Sequence, residues 1–97
     1  MNRITHIHMS TGGYAVEHIT DVKGTNSNGT FEYTVPQVVA YLKKGYKFHV
    51  VRDGYNIEVT HQTSAAGHEY IKTKPDATKV DNLLSLPRFT PSRLVGV

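Results

Sequence analysis

Six histidines, His6, His8, His18, His49, His61 and His68, are the side chains of this 97-residue sequence best equipped for chemistry near neutral pH. His6 and His8 stand two apart in a segment rich in β-branched residues, Arg3–Met9, and so share one strand face. Two imidazoles at that spacing can reach one cation. His18, expected on the strand that pairs with the first, would complete a three-histidine set with an open position, the ligand count of catalytic zinc. No His-Glu-x-x-His motif and no paired carboxylates accompany them. Strand histidines beside threonine and glutamate also make an ordinary half-exposed sheet face. The expectation is therefore no bound metal, with His6, His8 and His18 as the trio to inspect. The sequence has no cysteine, which excludes thiol catalysis, disulfides and iron–sulfur clusters. Ser10-Thr11-Gly12-Gly13 can form a backbone nest for an anion, but lacks the lysine and the following helix of a P-loop. No spacing unites a nucleophile, a base and an oxyanion site. A non-enzymatic protein with no catalytic residues and no cofactor is expected.

The charge pattern points elsewhere. The formal net charge is +3, yet residues 1–70 carry six basic and six acidic side chains. The excess lies in Lys72, Lys74, Lys79, Arg88 and Arg93, set against Asp76 and Asp81. A local cationic stretch attracts phosphate, nucleic acid or an acidic protein face. Tyr14, Tyr33, Tyr46, Tyr55, Tyr70, Phe31 and Phe89 offer rings for stacking, and Arg52 across a turn from Tyr55 suits a cation–π pair. Cations interleaved with aromatics are what a nucleotide or single-stranded nucleic acid needs. The expected ligand-binding residues are accordingly Arg52, Tyr55, Lys72, Lys74, Arg88 and Arg93, acting by electrostatic capture and stacking.

The elements that must position these groups follow from turn signals. Arg3–Met9 and Ala15–Lys23 read as strands joined through Ser10–Gly13, and Gly24–Thr30 reads as a mobile surface loop of turn formers. Thr34-Val35-Pro36-Gln37 is a capping box with proline in the first turn, so a helix is expected over 34–44, ended by Gly45. Val35, Val38, Val39 and Leu42 share its apolar face. Asp53-Gly54 between Tyr46–Arg52 and Tyr55–His61 signals a two-residue type I′ hairpin. That turn sets Arg52 against Tyr55, Val50 against Ile57, Phe48 against Val59 and Tyr46 against His61 on an apolar face. Val51/Asn56, His49/Glu58 and Lys47/Thr60 fall on a polar one. His68–Thr73 reads as a fifth strand stopped by Pro75; Asp76–Thr78 reads as a turn. Asp81–Leu86 reads as a helical turn capped by Asp81, its leucines plugging the core.

The resulting expectation is an α+β domain: a twisted antiparallel sheet of about five strands, ordered β-β-α-β-β-β, with one helix on one face. A single domain over 1–87 with a basic and apolar tail over 88–97 fits the length. No apolar run approaches the roughly 20 residues of a membrane span and no signal peptide is evident, so a cytoplasmic location is expected.

Ile4-Thr5-His6-Ile7, the Lys43-Lys44-Gly45 helix end, Tyr70-Ile71-Lys72-Thr73 and Asp81-Asn82-Leu83-Leu84-Ser85-Leu86-Pro87 together resemble a small bacterial and phage family known only as a domain of unknown function. The resemblance spans residues 3–87. The chain departs from the family pattern at Ala77, where a glycine is usual, and at Arg88, where an acidic residue is usual. The resemblance implies one compact domain and makes phage biology a reasonable setting. It suggests a second expectation beside anion capture: a protein-interaction factor that inhibits a host enzyme or defence system. Such a factor would mask a partner or sequester a nucleotide signal between subunits of a homo-oligomer.

Overall fold

The computed structural model describes residues 2–74 and 82–94. Asn2–Met9 forms β1, and a three-residue 3-10 turn, Val16–His18, leads into β2, Ile19–Asn26. Then come β3 (Gly29–Thr34), α1 (Val35–Lys43), β4 (Phe48–Arg52), β5 (Tyr55–Thr63) and β6 (Glu69–Thr73). Short 3-10 turns at Asn82–Ser85 and Ser92–Leu94 follow. The strands form one six-stranded sheet in the order β3-β2-β1-β4-β5-β6. The α+β class stands, with one strand more than expected.

That strand is β3, and Gly24–Thr30, expected as a mobile loop, is the end of the hairpin that joins it to β2. Thr25 pairs with Thr30 and Asn26 with Gly29, leaving Ser27 and Asn28 as the connection. Gly24 lies inside β2, opposite Ile4 on one side and Phe31 on the other. A Cβ there would sit 2.0 Å from the Arg3 carbonyl oxygen and 2.6 Å from Phe31 Cζ. Glycine is needed at this point for close approach, although in the sequence it reads as a turn former. A second difference is central: β1 and β4 pair in parallel, Asn2 with Phe48 and Arg3 with His49, so the sheet is mixed.

The helix and the tight hairpin form as their local signals require. Thr34 Oγ1 accepts from the Gln37 N–H at 3.3 Å, and Gln37 Oε1 accepts from the Thr34 N–H at 2.8 Å. Asp53 (φ 51°) and Gly54 (φ 81°) both take the positive φ of a type I′ turn. The expected pairs His49/Glu58, Val50/Ile57, Val51/Asn56 and Arg52/Tyr55 are all present. Tyr46 and His61, however, do not pair. β5 passes from β4 to β6, so His61 lies opposite Ile71. Tyr46 instead donates its N–H to the Tyr41 carbonyl, with the two rings perpendicular and 5.5 Å apart.

Val35, Val38 and Val39 of α1 bury against Ile4, Ile7, Val22, Phe48, Val50, Val59 and Ile71. Leu83 completes this core, with Leu84 and Leu86 packed at its margin. Asp81 and the Asp76–Thr78 turn lie outside the described residues. Beyond Arg3, β1 leaves β4, and Pro87–Phe89 takes up the vacated edge. The Ile7 N–H donates to the Pro87 carbonyl and the Phe89 N–H to the Ile7 carbonyl, both at 3.1 Å. Here the chain passes from the helix side of the sheet to the opposite side. No helix among the described residues is long and apolar enough to cross a membrane.

Candidate anion-binding face

Because Phe48, Val50, Val59 and Ile71 point toward α1, their alternate neighbours project from the other side of the sheet. Cross-strand pairing gathers them: Arg3 beside His49, His49 beside Glu58, and Thr60 beside Lys72. Glu58 braces two further cations. Its Oε2 lies 3.0 Å from Lys74 Nζ and its Oε1 3.7 Å from Lys47 Nζ. The hydrogen bond from Lys74 is the main cause that holds the Glu58 carboxyl below its usual pKa, aided by the charges of both lysines. Lys47 and Lys74 remain 66% and 58% exposed at their side chains, so the pairing orients them without hiding them. Lys47 and Lys74 thus flank one carboxylate, and Arg3 and Lys72 stand on the same side of the sheet. Beneath them His49 is held below its usual pKa, first by burial and then by the Arg3 charge. Among the described residues its Nδ1 is buried without a hydrogen-bond partner. Flexible ammonium groups and a guanidinium on one face of a sheet can bind phosphate oxygens.

The six residues expected to bind a ligand do not converge. Lys72 and Lys74 stand on this face. Tyr55 is 72% exposed at the β4–β5 tip. Arg52 points to the helix side, where Nη1 donates to Asn82 Oδ1 at 2.9 Å, so its guanidinium turns away from a cation–π contact with Tyr55. Arg88 Nη1 donates to the Leu86 carbonyl at 2.7 Å and the Leu84 carbonyl at 3.3 Å. Arg93 crosses to β2 and grips Asp21 through two hydrogen bonds, Nε to Oδ2 at 2.8 Å and Nη2 to Oδ1 at 2.5 Å. Its neighbour Ser92 donates both its N–H and its hydroxyl to Glu32 of β3. Residues 87–93 therefore form a strap over the outer side of β1–β3, with Phe89 edge-on to the rings of His6 and His8 and Pro91 buried. Burial alone would raise the Asp21 pKa. The Arg93 hydrogen bonds, the Thr20 hydroxyl and the Arg93 and His8 charges together bring it below the ordinary value.

The histidine trio is dispersed as well. His18 ends the 3-10 turn instead of lying on a strand, and its Nδ1 accepts from the N–H groups of Tyr14 and Ala15. His8 Nδ1 meets the Phe89 carbonyl, which can only accept, so that nitrogen carries the proton. His6 Nδ1 lies 2.8 Å from Thr5 Oγ1. Among the described residues no three His, Asp or Glu side chains are grouped to hold a metal. Lys47 was legible as a polar-face residue opposite Thr60, but local charge balance gave no reason to single it out. Arg3 reaches the face only through the parallel β1–β4 pair, for which the sequence carries no signal.

Fold and face together define an α+β domain whose mixed sheet is covered by one helix and presents a cationic patch on its other side. The family described as Protein of unknown function (DUF3892) matches residues 3–87, and the chain belongs to that family. No curated protein and no solved structure matches the chain.

Proposed function

We propose that this protein is a non-enzymatic binding module for nucleic acid or nucleotides, and that the face formed by Arg3, Lys47, Lys72 and Lys74 holds the phosphates. The observation that carries this reading is the arrangement around Glu58: one carboxylate fixes two lysines that stay largely exposed. A face built only for solubility would not need cations gathered from two strands, β1 and β6, and from the segments next to β4 and β6. Arg52, Arg88 and Arg93 are left out of this proposed set, because each directs at least one guanidinium nitrogen to a partner within the fold.

Binding of a single-stranded oligonucleotide, followed by anisotropy across a salt series, tests the reading. Each phosphate contact to a single strand contributes about 0.7 to the slope of log K against log salt. The double variant Lys72→Gln/Lys74→Gln should flatten that slope by about 1.4, whereas Arg88→Gln should leave it unchanged. Affinity that is indifferent to salt, or unaltered in the double variant, would remove the proposal.

A further inference from the structure

On the helix side of the sheet, next to the Lys47 end of the cationic face, a cleft of about 560 Å³ opens between the β2–β3 tip and the C-terminal end of α1. Asn2, Asn26, Tyr33, Tyr41, Tyr46 and Lys47 line it. Its rings are fixed from behind. Tyr33 stacks on Phe31 at 4.9 Å and lies 5.0 Å from Tyr41, which meets Tyr46 at a right angle. Tyr46 is 57% exposed although its backbone is tied to Tyr41. An exposed ring on an anchored backbone, beside two further tyrosines, is placed to stack on a planar ligand.

The polar wall is ordered too. The Asn28 N–H donates to Asn26 Oδ1 at 2.9 Å, which turns Asn26 Nδ2 toward Asn2. That nitrogen donates to Asn2 Oδ1 at 2.9 Å, which turns Asn2 Nδ2 toward the Lys47 carbonyl at 3.0 Å. A donor at one end of this chain and an acceptor at the other therefore fix both amide orientations. Each amide has two N–H groups and two lone pairs. After these bonds, each can still offer one donor and one acceptor.

We infer that this cleft is a nucleobase site. A planar heteroaromatic ring with an adjacent donor and acceptor on its edge matches the side-chain amides, as adenine or guanine edges match Asn and Gln. Its face matches the tyrosines. Lys47, the one charged side chain among the described lining residues, also lies 3.7 Å from Glu58 Oε1 and so links the cleft to the cationic face. The inference does not depend on the cationic face, because an uncharged nucleoside would engage the cleft alone.

The test is a titration of the isotope-labelled full chain with adenosine, guanosine, cytidine and uridine, observed by NMR at low and high salt. For at least one nucleoside, shifts should centre on the Asn2 and Asn26 side-chain amides and the rings of Tyr41 and Tyr46. The affinity should be the same at both salt concentrations. Tyr46→Ala removes an exposed ring and leaves the core intact; it should weaken binding roughly tenfold, while Tyr46→Phe retains it. The absence of shifts at these residues up to roughly 10 mM of every nucleoside would overturn the assignment. So would shifts there with a disaccharide and with no nucleoside, or binding indifferent to Tyr46→Ala. Loss of the oligonucleotide salt slope with the nucleoside shifts intact would refute the phosphate-binding face and leave this site standing.

Discussion

Two side chains show how the same residue type changes meaning once its neighbours are known. Arg52 looks in the sequence like a ligand-binding cation at a hairpin tip, yet it faces inward and bonds to Asn82, thirty residues further along. We expect Arg52→Ala to destabilise the protein by about 2 kcal/mol in urea unfolding, as for a hydrogen bond with one charged partner, and to leave oligonucleotide affinity unchanged. Gly24 likewise reads as a turn former and lies inside a strand, where an added methyl would press on the Arg3 carbonyl and the Phe31 ring. Gly24→Ala should cost about 3 kcal/mol or abolish folding, measured by thermal and urea melts, because one of the clashing atoms belongs to the backbone of β1.

At the scale of elements, the strap is the feature with the clearest pH signature. Asp21 and Glu32 both titrate below their ordinary values of 3.8 and 4.5 in the folded chain, Glu32 chiefly through the Ser92 hydroxyl and N–H. A carboxylate that is harder to protonate when folded contributes stability that is complete above its unfolded pKa. That contribution is lost as the pH falls through the lowered folded value. The urea midpoint should therefore fall between pH 5 and pH 3 on a scale set by these groups. Arg93→Met should lower the midpoint at pH 7 and shrink its further loss on acidification; an unchanged acid dependence would contradict the strap's role. The elements themselves were unequally legible. The capping box at Thr34 and the Asp53-Gly54 turn are local signals, complete within four residues, and both were readable. The β2–β3 hairpin was not, because Gly-Thr-Asn-Ser-Asn-Gly-Thr is turn chemistry by composition and strand by packing. The Arg93–Asp21 clasp joins residues 72 apart, and no pattern along the chain encodes such a pair. The candidate face was half-readable for the same reason: Lys72 and Lys74 stand in a basic stretch, whereas Arg3 joins them through strand pairing and Lys47 through Glu58.

For the whole molecule, the radius of gyration of 12.8 Å agrees with about 13 Å for a compact domain of 100 residues. Compactness is reached although the sheet is assembled out of sequence order, with β1 between β2 and β4. The charge is divided by this topology. The strap neutralises Asp21 on one side of the sheet's outer surface, while Lys47, Lys72 and Lys74 keep their surplus on the other. The strap has one more consequence, which concerns synthesis. Residue 8 meets residue 89 across a separation of 81 positions. At about 5–20 residues per second, the ribosome takes roughly 4 to 16 s to make the segment that closes the edge beside Ile7. Throughout that interval the nascent strand presents a bare hydrogen-bonding edge, open to mispairing with another chain or capture by a chaperone.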